Sequence, residues 1–252
     1  MQHADLRAVV HAALLTPSPL ERYRPHPVRR ERHGDLALLA AGSPGPDFNY
    51  MLALGPVAAE RAFALADAFF GDPAGFSVYV EVEAAGPVEE GLIARGWTLV
   101  EEEPALVLPR LPDPIPAPPA GLDIRRVTDE AGLAAFRNLT ETPTPFVPSL
   151  AAALDPGVAL FVGYLDGRVV ASSRLACLGE IAEITGVNTA PEYRRRGLAT
   201  ALTWAAIAEG AARGSTVPML NASELGYPVY LRMGFVPVCT YRTYLPPTHG
   251  SA

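Results

Sequence analysis

The stretch LPDPIPAPPAG at 111–121 constrains the chain more than any other. Pro112, Pro114, Pro116, Pro118 and Pro119 each fix φ and remove a backbone donor. Such a segment continues neither a helix nor a central strand, and it favours an extended, semi-rigid spacer. It divides the 252 residues into an N-terminal domain at 1–110, a linker at 111–121 and a C-terminal domain at 122–247. The length suits one large domain or two small ones, and 49% hydrophobic residues suit a packed globular protein.

After the linker, LDIRRV alternates like a strand and DEAGLAAFRNLTE reads as a helix behind an acidic cap. VALFVGYL, Asp166-Gly167 and RVVASSRLAC carry the strongest hairpin signal, since Asp-Gly takes the positive φ of a two-residue turn. EIAEITGVNT follows as a strand and GLATALTWAAIAEGAARG (197–214) as a helix. TVPMLNA, ELGYPVYLRM and FVPVCTYRTYL then read as strand, short helix and strand. The first half repeats part of this order: FNYMLAL, VAAERAFALADAFF, FSVYVEV, PVEEGLIAR and WTLVEEEPALVL alternate strand and helix over 48–108. LIARGW and LRMGF occupy matching places, so the two halves read as a structural duplication.

Charge excludes some function classes. Residues 121–252 hold 11 acidic and 11 basic side chains, which leaves 16 acidic and 9 basic in residues 1–120 and the whole net of −7 there. An acidic half argues against nucleic acid as a partner. The local run of Arg22, Arg24, Arg29, Arg30 and Arg32 is expected to be a solvated, partly mobile surface. No apolar stretch has the length of a membrane span, and the start MQHADLRAVVHAALLTPS does not read as a secretory signal. Cys177 and Cys239 form no disulfide framework and no metal-ligand spacing, so a reducing cytoplasm and no metal are expected.

The most informative residues are VNTAPEYRRRGLATAL at 187–202, where a strand ends and a helix opens. The first helical turn leaves backbone N–H groups without internal partners at the positive end of the dipole. Gly197 and Ala199 are small enough to admit a phosphate to those amides, and Arg194, Arg195 and Arg196 add charge. Taken alone, arginines before a helix also suit a plain solvated face.

The pattern V-x-T-x-P-x-x-R-R-x-G-L-A resembles the acyl-CoA-binding motif of the GNAT N-acetyltransferase superfamily, whose R/Q-x-x-G-x-G/A signature is met by Arg194, Gly197 and Ala199. LNASELGYPVYLRMGF (220–235) resembles the family's second motif, with Tyr230 four residues before Gly234-Phe235. The resemblance covers residues 121–247. It implies an α/β fold of the α+β type, a mixed, mostly antiparallel sheet flanked by helices. The N-terminal half, with LGPVAAE where the second half has its arginine loop, is then a smaller, degenerate copy that does not bind.

The resemblance further implies acetyl transfer from acetyl-CoA, as co-substrate, to an amine. It places Tyr230 beside the leaving sulfur as general acid and Glu183, in the strand before the loop, as base. On a strand Glu183 shares a face with Thr185 and Val187, and burial would raise its pKa. An ordered water held by Tyr164, Tyr227 or Asn221 is the alternative base. The backbones of Val187, Asn188 and Thr189 are expected to bond the pantetheine arm, and amides from Arg195 through Leu198 and Ala199 to Thr200 the pyrophosphate. Asn221 and Ser223 are expected at the cofactor, with helix capping the equal alternative for Ser223. Thr189 and Ala199 depart from the commonest family residues, and Gly226 with Pro228 implies a late start for the helix holding Tyr230.

The acceptor, an unidentified small-molecule or peptide amine, is not readable, and a homodimer is compatible with the sequence. TETPTPFVP at 140–148 suits a rigid lid over the acceptor pocket. A catalytically silent acyl-CoA-binding module is the alternative from another class.

Overall fold

The computed structural model describes residues 3–24, 26–41, 46, 49–71, 75–139 and 149–247. The lid segment 140–148 lies outside them. The chain forms two compact units, the first from Met1–Tyr23 with Leu106–Val236, the second from Arg24–Ala105 with Pro237–Ala252. Both are mixed, mostly antiparallel sheets flanked by helices.

The first unit starts with helix α1 (His3–Leu15) and a 3-10 turn, Pro19–Tyr23. That turn is pinned by Asp155, which accepts from Tyr23 Oη at 2.8 Å and from the Gly157 amide at 2.7 Å, and pairs with Arg22 at 3.2 Å. Its sheet has the order β10-β9-β8-β7-β6, from β6 (Asp123–Arg126), β7 (Val158–Leu165), β8 (Arg168–Leu178), β9 (Ile181–Thr189) and β10 (Val217–Asn221). The β7–β8 hairpin closes on Asp166 and Gly167 at φ of 50° and 75°, the backbone expected of that dipeptide. Asp129 and Ser149 cap α4 (Glu130–Arg137) and α5 (Leu150–Ala153), each accepting the amide three residues on.

One face of the sheet carries α6 (Leu198–Ala212) over a core of Ala171, Leu175, Ala182, Ile184, Leu202 and Ile207. Phe136 of α4 packs in a separate cluster with Val158, Leu160 and Val162 of β7. α7 (Tyr227–Met233) follows β10 and ends on Gly234 at φ 94°. It starts late, as Gly226 and Pro228 imply.

The second unit has the order β1-β2-β3-β4-β11-β5. Its strands are β1 (Arg29–His33), β2 (Leu36–Ala40), β3 (Asn49–Ala53), β4 (Ser77–Glu81), β5 (Thr98–Val107) and β11 (Val236–Leu245). β3 and β4 run parallel, joined by α2 (Ala59–Phe70), and α3 (Gly86–Ala94) leads to β5. Phe63, Phe69, Phe76, Leu92, Trp97 and Tyr244 share its core. Strand–helix–strand–helix–strand thus recurs as β3-α2-β4-α3-β5 and β9-α6-β10-α7-β11, with β3/β4 and β9/β10 both parallel.

Two features depart from the sequence reading. The part of the arginine run at Arg29, Arg30 and Arg32 is solvated but ordered: Arg29–His33 form β1, paired residue for residue with Leu36–Ala40. The last strand of the chain belongs to the second unit, where Tyr241 pairs with Glu81 and Tyr244 with Val78. Beside β10, in the first unit, Leu108 donates its amide to Pro218 O at 2.9 Å.

Candidate active site

β9 and β10 build the site by parting. Their parallel ladder runs Val217↔Ile181, Pro218↔Ala182, Met219↔Glu183 and goes no further, although β9 continues to Thr189. From Ile184 onward one edge of β9 has no strand beside it, so its backbone groups lack ladder partners there. Val187, Asn188 and Thr189 lie on that edge, and all three are half-buried. At the mouth of the gap two polar atoms, Thr189 Oγ1 and Asn221 Oδ1, are buried with no hydrogen-bond partner. Orphaned buried polar atoms are rare, and a pair at the ends of two diverging strands fits a polar ligand laid between them.

Past β9 the chain makes a 3-10 turn, Pro191–Tyr193, and reaches α6 through Arg194, Arg195, Arg196 and Gly197. Arg195 and Gly197 take φ of 62° and 77°. Left-handed backbone in a non-glycine residue costs about 1–2 kcal/mol and turns successive N–H groups into one concavity. Gly197 provides no side-chain cap, so the first-turn amides of α6, among them those of Leu198, Ala199 and Thr200, face outward. Leu198 itself buries its side chain in the core. The three arginines are exposed but differently held: Arg194 Nε donates to Thr189 O at 3.3 Å, while the Arg196 guanidinium sits 5.6 Å over the Tyr193 ring. Uncapped amides, a small residue at 199 and three cations make an anion cradle.

Glu183 is half-buried on β9, and burial raises its pKa, an effect that Arg174 partly offsets. Arg174 was not legible as a site residue. It lies opposite Thr185 and donates from Nε to Thr185 Oγ1 at 2.7 Å, on the face that carries Glu183. That face does not include Val187, contrary to simple alternation. Between the pairs Ser172↔Asn188 and Arg174↔Thr185, β9 holds two residues where β8 holds one, and Gly186 takes φ 58°. The bulge flips the parity, so Val187 packs with the α6 core and Asn188 joins the Glu183 face. A glycine inside a strand pattern is the one signal that could have warned of it.

Tyr230 is 7% exposed and packs edge-on to Phe235 at 5.8 Å. Burial pushes its pKa up to about 12, with Thr203 acting the other way, so the phenol keeps its proton at neutral pH. A Cβ on Gly226 would stand 2.9 Å from Tyr230 Cε2, which explains a glycine at that place. Ser223 is exposed, and its hydroxyl accepts the Gly226 amide at 3.3 Å, the turn-capping alternative. Among the described residues no group of three His, Cys, Asp or Glu could hold a metal, and no helix is long and apolar enough to cross a membrane.

The second unit's corresponding loop, Leu54–Ala58, carries no arginine. The Asp35 carboxylate fills the space beside it, since a Cβ on Gly55 would lie 2.5 Å from Asp35 Oδ2. A carboxylate there repels a phosphate.

The match to the acetyltransferase (GNAT) family spans residues 128–235. A GCN5-related N-acetyltransferase from Kribbella flavida is similar at 23% identity and a TM-score of 0.69, over 97% of this chain and 96% of that one. A GCN5-related N-acetyltransferase-like protein from Streptococcus suis 89/1591 is similar at 16% and 0.59, over 97% and 99%. A tandem GNAT protein from the clavulanic acid biosynthesis pathway is similar at 15% and 0.57, over 84% and 80%. No curated protein matches the chain. Residues 128–235 thus match the GNAT acetyltransferase family, and nearly the whole chain shares the fold of the GNAT structures it resembles.

Proposed function

We propose that the chain moves an acetyl group from acetyl-CoA to a primary amine of a small molecule or peptide by direct attack. The observation that carries this is the parting of β9 from β10 after Glu183↔Met219, with Thr189 Oγ1 and Asn221 Oδ1 orphaned at its mouth. The backbone edge at Val187, Asn188 and Thr189 suits the amide-bearing pantetheine arm, and the loop Arg194–Thr200 suits the pyrophosphate. Bound there, acetyl-CoA supplies an activated thioester.

The rest falls to the chain's own side chains. A lysine-like amine is protonated at neutral pH, with a reference pKa of about 10.4, and must lose a proton before attack. Glu183, its carboxylate basicity raised by burial, takes that proton directly or through water. Tyr230, protonated at neutral pH, gives its proton to the departing sulfur. The Asp35 contact supports one acetyl-CoA per chain.

A catalytically silent acyl-CoA-binding module is the second reading, favoured by the burial of the Tyr230 side chain, which is 7% exposed. Titration calorimetry with acetyl-CoA and with CoA, followed by an amine-library screen for thiol release, separates the cases. Micromolar binding of one equivalent with thiol release is expected. Binding without release under every amine favours the silent module, and no binding of either compound removes both.

A further inference from the structure

Glu183 shares its sheet face with a guanidinium that no step of acetyl transfer calls for. On β8 and β9 the direct pairs are Ala176↔Glu183 and Arg174↔Thr185, and Glu183 and Thr185, two residues apart, point the same way. Arg174 is therefore the diagonal neighbour of Glu183 across the two strands, at about 7–8 Å. Its Nε donates to Thr185 Oγ1 at 2.7 Å, which fixes the plane of a half-buried guanidinium. With Nε held, the Nη1–Nη2 edge is the one that can meet a carboxylate with two parallel bonds. Ser172 Oγ and Asn188 Nδ2, on the same face, both donate to Gly186 O, at 3.3 and 3.2 Å. Gly186 leaves room beside the arginine. A Cβ there would touch Arg174 Cβ at 3.8 Å and Phe136 Cζ at 3.9 Å, so an arginine stem and a phenyl ring wall the place where a side chain would begin. That place lies beyond Met219↔Glu183, along the stretch of β9 that β10 has left.

We propose that Arg174 reads a carboxylate on the acceptor, so that the amine acetylated at this site belongs to a free α- or β-amino acid. This rests on the acetyltransferase reading above and narrows its acceptor. An amine beside Glu183 and a carboxylate at Arg174 must belong to one small molecule, because the two protein groups are diagonal neighbours on adjacent strands. A peptide presents a neutral amide at that distance from its amine, and a diamine presents a second positive charge, which the guanidinium repels. The carboxylate also acts on the base. Arg174 holds the Glu183 pKa down against the effect of burial. A carboxylate on the guanidinium offsets that charge, so Glu183 gains basicity when the acceptor is in place.

Acetyl transfer to a panel of L-amino acids, their amides and carboxylate-free primary amines tests this, for wild type, Arg174→Met, Arg174→Lys and Thr185→Val. Calorimetry with acetyl-CoA on each variant reports an intact fold. Wild type is expected to acetylate amino acids. Arg174→Met is expected to lower the ratio of kcat/KM for an acid to that for its amide roughly ten- to a hundred-fold, the worth of hydrogen bonds to a charged group. The amines of an acid and its amide differ in basicity, so the change of ratio between proteins, not the ratio itself, reads the carboxylate contact. Arg174→Lys keeps the charge without the fork and Thr185→Val releases Nε, and each is expected to lower the ratio by less. An arginine that only tunes Glu183 would slow acid and amide alike. A ratio unchanged in Arg174→Met overturns the proposal, as does one unchanged in both Arg174→Lys and Thr185→Val if Arg174→Met no longer binds acetyl-CoA. Turnover of carboxylate-free amines alone also overturns it and leaves the acetyltransferase reading standing. No turnover with any amine overturns that reading itself, and the proposal falls with it.

Discussion

Arg174 Nε donates to Thr185 Oγ1 at 2.7 Å across the β8–β9 pair, which holds a guanidinium on the sheet face that carries Glu183. The two groups pull the Glu183 carboxyl in opposite directions, burial raising its pKa and Arg174 lowering it. A general base works deprotonated, so its pKa sets the acid limb of the pH profile. Arg174→Met removes the lowering influence and is expected to move that limb to higher pH. A kcat/KM profile against pH checks it, and an unmoved limb separates Arg174 from Glu183.

The same carboxyl has a stability consequence. Its folded pKa lies above the unfolded value, so the stability it contributes is full below the unfolded pKa and is lost as pH rises through the folded one. Glu183→Gln is therefore expected to have a higher Tm than wild type at pH 8, with the difference closing towards pH 4, while turnover is lost. Thermal melts across that range read it directly. A Tm at pH 8 below that of wild type would contradict the raised pKa.

Tyr230→Phe keeps the ring and its contact with Phe235 at 5.8 Å, so it is expected to fold and to bind acetyl-CoA as wild type does. Turnover is expected to fall about 10²–10⁴-fold, the usual worth of a general acid. Calorimetry beside a thiol-release assay distinguishes lost chemistry from lost binding.

Gly226→Ala acts on the same ring from below. Its Cβ would stand 2.9 Å from Tyr230 Cε2, so the ring or the turn must shift, at a stability cost of about 1–3 kcal/mol. Lower turnover with unchanged acetyl-CoA affinity is expected, by urea melts and the same two assays.

Asp155 ties the N-terminal segment down, and its pKa responds to that. Burial would raise it, but the Gly157 amide, Tyr23, Arg22 and Arg213 together bring it below the ordinary carboxylate value. A lowered pKa contributes stability that is present above the unfolded value and lost as pH falls through the folded one. Asp155→Ala is expected to release Met1–Tyr23 to limited proteolysis at neutral pH, and wild type to approach that behaviour only in acid. Equal cleavage of the two at neutral pH would show that other contacts hold the segment.

Much of the fold was legible because its signals are local. Asp166-Gly167 dictates a tight hairpin by itself, and the cradle before α6 follows from a run of eleven residues, Thr189–Ala199. What escaped depends on residues far apart. Arg174 becomes a neighbour of Thr185 only after β8 and β9 pair with a bulge at Gly186, and that bulge moves Val187 to the other face. The arginine run became a strand because Leu36–Ala40 offered it a partner, which no window inside Arg29–His33 contains.

The placement of β11 beside β4 also bears on how the protein is made. Ribosomes add about 5–20 residues per second, and domains ordinarily fold from the N-terminus as they emerge. Here β4 cannot gain its second neighbour until the final ten-residue strand has been synthesised, roughly 150 residues and about eight to thirty seconds later. Until then it presents an open edge with a Val-Tyr-Val core, the kind of template that recruits other chains. The first half of this protein to leave the ribosome is thus the last to be finished, and its exposure to chaperones and to aggregation is set by the clock of translation.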